Sequence, residues 1–260
     1  MTTKGKVLKL PIPSPNELKQ KDWWIKNWTN EERSQMTPTA LKVTCVPGSY
    51  GMKSGTGFHA LPFLKFPTEH MAYEYSVYFD DDFQWVKGGK LPGIGFGVDD
   101  KTASGGEWQR DAGSMRVMWR EGGQAIGYLY LPTEISKNNK RDGTIHVQSN
   151  DFQDAAEGAL GKPAGIDLFF HKRAGLRFKR GAWNTIRTEV KLNDPGKRNG
   201  LLRLTVNGQT RELDDVVYRE SREVKINMVL TQVFFGGGSR EWCAKKKETV
   251  SLKDFKVTFY

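Results

Sequence analysis

Apolar residues recur at every second position in a series of short runs along this chain, and that period limits the folds open to it. Tyr73, Tyr75, Val77 and Phe79 alternate with Glu74, Ser76 and Tyr78. Met115, Val117 and Trp119 alternate with Ser114, Arg116, Met118 and Arg120, and Ile126-Gly-Tyr128-Leu-Tyr130 is a third such run. Successive side chains of an extended chain point to opposite faces, so each run reads as a half-buried strand. Further strands are expected over 185–192, 202–206, 228–235 and 250–259. Strong turn signals separate them, notably Asn-Asp-Pro-Gly-Lys-Arg-Asn-Gly over 193–200 and the hairpin pair Asn207-Gly208. No internal repeat is visible. Many short strands with almost no helix predict an all-β sandwich, jelly roll or closed barrel. A chain of 260 residues fits one such domain.

The N-terminal stretch reads differently. Leu10-Pro-Ile-Pro-Ser-Pro15 is proline-rich and extended by preference, because each proline restricts itself and its predecessor. Residues 16–35 are the one helical expectation: Leu18, Trp23, Trp24 and Trp28 fall near helix-face spacing. The domain reading is therefore a tail, linker and short helical segment over 1–35, followed by the main domain over 36–260. The tryptophans are expected to fasten the first part to the second, with sugar stacking as the alternative. The start, MTTKGKVLKLPIPSP, carries charge without an apolar core, so it does not read as a secretory signal, and no run approaches the ~20 apolar residues of a membrane span.

Composition narrows the partner. Forty Lys and Arg against 30 Asp and Glu give a net charge of +10, which attracts polyanions: nucleic acid, an anionic membrane or an acidic polysaccharide. A charge that serves solubility alone is the plain alternative. Nucleic acid is disfavoured because no helix-turn-helix, zinc-finger or RNP pattern is present, and no membrane partner is expected. The two cysteines, Cys45 and Cys243, lack metal-site spacing and are expected as free buried thiols, with one disulfide between them as the alternative.

The chemistry-bearing residues cluster on the strand runs. In Gly88-Gly-Lys90-Leu-Pro-Gly93 the glycines permit a sharp or closely approached backbone and the proline fixes the exit, which gives Lys90 a defined direction. Ser114 and Arg116 share one strand face, while Val117 and Trp119 take the other. Tyr128 and Tyr130 repeat that geometry, and an antiparallel neighbour could bring the four side chains together. Taken singly, each feature also fits a solvated strand face or cross-strand packing.

In series, these segments resemble polysaccharide lyase family 14, the alginate and glucuronan lyases of chlorella viruses, molluscs and fungi. The resemblance rests on GGKLPG, then S-x-R-x-M-W-R, then Y-x-Y-x-P. It continues through Gly181-Ala-Trp183-Asn-Thr, the Val190–Lys197 run, Val206-Asn207-Gly208 and Phe234-Phe-Gly-Gly237 to Trp242, with Pro47-Gly-Ser-Tyr-Gly51 upstream. It spans roughly residues 43–259. It implies a single β-jelly-roll domain with a cleft, an acidic polysaccharide substrate, and no cofactor or metal. It also implies catalytic roles for Lys90, Ser114, Arg116, Tyr128 and Tyr130, with Lys87, Arg120 and Gln232 binding substrate. Lysine richness and the lack of a secretory signal look more viral than fungal. An enzyme carried in a particle or released on lysis would need no signal. The glycine-rich acidic loop over 99–111 departs from the family pattern. His59, His70, His146 and His171 have no firm counterpart and are read as structural or surface residues.

These residue types suit β-elimination. Removing the C-5 proton of a uronate builds charge beside a carboxylate, and fixed cations stabilise it. Arg116 can grip that carboxylate with two bonds, and Lys90 adds a second charge. A tyrosine can act as base or acid when neighbouring cations favour its phenolate. Ser114 is expected to orient rather than attack, since no His/Asp partner accompanies it. A glycoside hydrolase would need two flanking carboxylates; Asp80-Asp-Asp82 and Asp99-Asp100 sit near turns and read as solvated charge or a structural calcium site. The serious alternative of another class is a lectin using the same residues to bind an acidic glycan without cutting it.

Overall fold

The computed structural model describes residues 5–13, 22–61, 67–102, 111–131, 166–168 and 175–260. Two antiparallel sheets carry the described chain. The larger holds β1 (Lys6–Lys9), β3 (Ser34–Met36), β4 (Leu41–Cys45), β6 (His70–Phe79), β11 (Trp183–Lys191), β12 (Gly200–Val206), β13 (Gln209–Val216) and β15 (Glu248–Phe259). Its order is β13-β12-β11-β6-β15-β4-β3, with β1 also on β15. The smaller holds β2 (Ile25–Thr29), β5 (Thr56–Ala60), β7 (Gly88–Gly97), β8 (Ala112–Arg120), β9 (Ala125–Tyr130), β10 (Ile166–Leu168) and β14 (Lys225–Phe235), ordered β10-β9-β8-β7-β14-β5-β2. This is the expected jelly-roll sandwich.

One core fills the space between the sheets. The larger sheet contributes Tyr73, Tyr75, Val77 and Phe79, and the smaller Met115, Val117, Trp119, Val229, Val233 and Phe235. Phe79, Phe83, Trp85 and Trp119 meet ring to ring at 4.7–5.7 Å, mostly tilted or edge-on. Such pairs add about 0.5–1.5 kcal/mol each beyond their burial. The Trp119 indole donates to the Trp85 carbonyl at 3.1 Å, so the ring enters the core without an orphaned N–H. The hairpin at Asn207-Gly208 forms as expected, both residues having positive φ (50° and 81°).

The helical expectation for 16–35 is corrected where the chain is described. Ile25–Thr29 is a strand paired with β5, and Ser34–Met36 a strand paired with β4. The cause is a register irregularity between Ile25 and Asn27, which lets residues three apart, Ile25 and Trp28, both face inward. A β-bulge thus imitates helix-face spacing. Across the expected boundary at 35, β1 pairs with β15 and β2 with β5. Trp23 and Trp28 do fasten this stretch: Trp23 packs edge-on to Phe58 and Phe255 and donates to the Pro11 carbonyl at 2.9 Å. Trp24, between them in sequence, is exposed. Leu18 lies outside the described residues, as do His146 and His171. Cys45 and Cys243 are free thiols, and burial pushes the Cys45 thiol up to about 12.

Candidate active site

The smaller sheet turns Met115, Val117 and Trp119 of β8 to the core, so Ser114, Arg116 and Met118 emerge on its other face. Register then assembles the site in rows. Arg116 stands opposite Tyr128, and Ser114 opposite Tyr130. On the other flank of β8, Gly93 faces Arg116 and Gly95 faces Ser114, while Lys90 faces Met118. Three residues of β7 match two of β8 here, a bulge at Pro92 that brings Lys90 and Gly93 to the same face. The stretch around Lys90 is therefore a kinked strand rather than a turn. Its glycines serve close approach: a Cβ on Gly89 would lie 2.1 Å from the Trp119 ring, and one on Gly93 2.1 Å from the Met115 carbonyl.

The five residues expected to be catalytic come together. The Lys90 ammonium lies 2.9 Å from the Tyr128 ring centroid and 5.8 Å from that of Tyr130, and it donates to the Met118 sulfur at 2.8 Å. The two phenol rings meet edge-on at 5.2 Å. Lys90, Ser114, Tyr128 and Tyr130 are all buried. Arg116 is 1% exposed, and its Nε and Nη2 have no hydrogen-bond partner among the described residues. Burial pushes its guanidinium down to about 10, against the opposing pull of Tyr130 and Tyr128, which leaves it charged at neutral pH.

The three expected substrate-binding residues divide between two flanks. Gln232, on β14, donates its amide to His59 Nε2 at 3.2 Å. Lys87 pairs with Glu241, and the Arg120 guanidinium lies 5.2 Å from the Trp242 ring. Trp242 packs on the cluster of Met118, Ile126, Tyr128 and Tyr130, so this flank adjoins the phenols. A Cβ on Gly237, whose φ is +77°, would strike the Trp242 ring at 2.1 Å, which ties that turn to glycine.

His59 is the residue that sequence reasoning placed elsewhere. Burial, then Arg116 and Lys26, push its imidazole down to about 4, so it is neutral at physiological pH. It shares a row with Leu230, Gly93, Arg116 and Tyr128 across four strand pairings. Nothing in Thr56-Gly-Phe-His59-Ala distinguishes it from a surface histidine, since that row exists only after pairing. His70 is structural: it stacks on Tyr260 at 4.4 Å and bonds Glu189 at 2.9 Å, on the outer face of the larger sheet. Of the acidic runs, Asp82 pairs with Lys246 and Asp100 with Lys26.

Comparison with known proteins agrees with this architecture. The family model described as Polysaccharide lyase 14 matches residues 33–255. A protein named exolysin from Paramecium bursaria Chlorella virus 1 is 29% identical over 180 residues, covering 63% of this chain and 25% of that protein. The chain thus spans about a quarter of the length of that curated relative. Among solved structures, a marine PL-14 alginate lyase from Aplysia kurodai superposes with a TM-score of 0.77 at 23% identity, covering 100% of both chains. The alginate lyase vAL-1 from Chlorella virus gives 0.74 at 21% identity, covering 97% of this chain and 100% of that one. At such identities the superpositions establish the fold.

Proposed function

The chain belongs to polysaccharide lyase family 14, and from that membership we propose that it cleaves a uronate-containing glycan of the alginate type by β-elimination. The observation that carries the reading is Arg116. Burying a cation without a counter-ion costs several kcal/mol, and removing the cation would relieve that cost. Nε and Nη2 form one edge of the guanidinium, the edge that grips a carboxylate with two parallel bonds. A uronate carboxylate is a ligand of that shape and charge, and the +10 chain attracts polymers of it.

The steps follow from the neighbours. Arg116 and Lys90 hold the carboxylate and stabilise the charge that builds on it as the C-5 proton leaves. A base takes that proton, its electron pair forms the C-4=C-5 double bond, and O-4 departs with a proton from an acid. Tyr128 and Tyr130 supply base and acid. The Lys90 ammonium lies over the ring of Tyr128, beside one of the two phenols that exchange protons with the sugar. Ser114, opposite Tyr130, orients the phenol or the carboxylate. Gln232, aligned by the neutral His59, offers hydrogen bonds without adding charge, while Lys87 and Arg120 meet the glycan further along. In this scheme side-chain cations do the work a metal would otherwise do.

The test is incubation with purified alginate and glucuronan. Elimination leaves a double bond that absorbs in the ultraviolet, and the rise should be unaffected by a chelator. Retention on the polymer with no absorbance rise across several polyuronates and pH values would leave a lectin in its place. A rise on one polymer alone would fix the preferred uronate.

A further inference from the structure

We propose that the outer face of the larger sheet carries a second glycan-binding surface, on which Tyr78 and Trp183 stack sugar rings while Lys253 and Lys42 meet the carboxylates of a polyuronate chain. It lies on the opposite side of the sandwich from Arg116: Val77 and Phe79 of β6 point to the core, so Tyr78 between them points away from it. Trp183 opens β11 directly opposite Tyr78, and their ring centroids are 5.5 Å apart at 54°. Trp183 remains 40% exposed, a large apolar ring left open at the end of a paired strand row.

The row continues across the sheet. Tyr78 is opposite Ser251, Ser251 opposite Lys42, and Lys42 opposite Gln35. One register step away, Lys253 faces Ser76, which in turn faces Thr185. Neighbouring strands are ~4.8 Å apart, so the row from Trp183 to Gln35 spans about 19 Å, long enough for several sugar residues. The Lys253 ammonium stands 4.4 Å from the Trp183 centroid. It is also 3.7 Å from the Asp254 carboxylate, which accepts from the Ser76 hydroxyl at 3.0 Å. Lys42 is exposed and makes no ion pair among the described residues.

Charge complementarity selects the occupant. Elsewhere on this face cations and carboxylates neutralise one another: Arg187 and Lys256 with Glu74, Arg203 with Glu189 and Glu212. Around the aromatic pair Lys253 and Lys42 outnumber Asp254, and the hydroxyl-bearing Ser251 and Thr185 flank the rings. Flat apolar rings, hydroxyls and lysines in one strip fit pyranose faces bearing carboxylates. Such a surface would hold the enzyme on a polymer or gel while the Arg116 site works, raising the local concentration of chain.

The proposal rests on the polyuronate reading, and the experiment separates the two. Retardation in alginate-containing gels is measured in an Arg116→Ala background, with and without Trp183→Ala or Lys253→Gln. In the otherwise unaltered chain, kcat/KM is measured on short oligouronides and on polymer. Each outer-face change should weaken polymer retention about fivefold and raise KM on polymer, leaving oligomer turnover unchanged. Trp183→Phe should restore part of the loss. Retardation that depends on Trp183 in a chain that cleaves no polyuronate would sink the lyase and keep the surface. Retardation and KM unchanged in both variants would overturn the surface whatever the cleavage assay gives. So would a Trp183-dependent dimer found by light scattering without glycan, or equal retention on a neutral β-glucan.

Discussion

The two sheets each turn one face away from the core, and the two faces treat charge in opposite ways. On the larger sheet Glu189 is surrounded by Arg187, Arg203 and His70, and Arg203 reaches on to Glu212. His70, Arg187 and Arg203 together outweigh burial and hold the Glu189 carboxyl down at about 2. On the smaller sheet the cations Arg116 and Lys90 meet phenol rings, a thioether and the Phe234 ring. There burial pushes the Arg116 guanidinium down instead. A closed ion network needs nothing further and serves the fold. A buried guanidinium edge with no partner is complete only with an anion, so it marks the ligand site.

Substitutions on the two faces should have different consequences. The largest effect should come from the phenols. Tyr128→Phe and Tyr130→Phe, compared separately, should cost about 10²–10⁴-fold in kcat at the residue that takes the C-5 proton, with the larger loss marking it. Normal turnover in both would remove tyrosine as the proton acceptor. Gln232→Ala should raise KM about tenfold with a smaller change in kcat, since it removes binding common to ground and transition states.

The network on the larger sheet should respond in stability and not in turnover. Glu189→Gln should cost about 1–3 kcal/mol in denaturant unfolding and leave kcat/KM on short oligouronides intact. The acid limb gives the sign. The Glu189 carboxyl titrates lower in the folded chain than its ordinary value, so its contribution is fully present above that value. It is lost as pH falls from about 5 toward 2. The parent should therefore lose more melting temperature over that range than Glu189→Gln, and parallel curves would show that the network contributes nothing.

What the sequence made legible was strand periodicity, and what it hid lay at bulges and in pairing. Ser114 and Arg116 were readable as face-sharing because β8 is regular, and Tyr128 and Tyr130 because β9 is regular too. Around Lys90 the bulge at Pro92 breaks strict alternation, so only the family resemblance linked it to Arg116. The bulge near Asn27 produced the opposite error, turning a strand with Ile25 and Trp28 inward into an apparent helix. His59 carried no local signal, because its place in the Arg116 row is made by three strand pairings distant in sequence. Alternation also suggested a solvated Ser114/Arg116 face. Its burial comes from what packs around it, which periodicity does not encode.

The mechanism turns on Arg116, whose Nε and Nη2 have no hydrogen-bond partner among the described residues, holding the sugar acid where it reacts. It is tested most directly by following ultraviolet absorbance on purified alginate with the parent and Arg116→Ala, alongside thermal melting of both. The expected result is a fall in kcat/KM of about a thousandfold with the melting temperature held within about 4 °C, since a buried charge is lost along with its packing. An Arg116→Ala chain that stays folded and cleaves within about tenfold of the parent rate would contradict it.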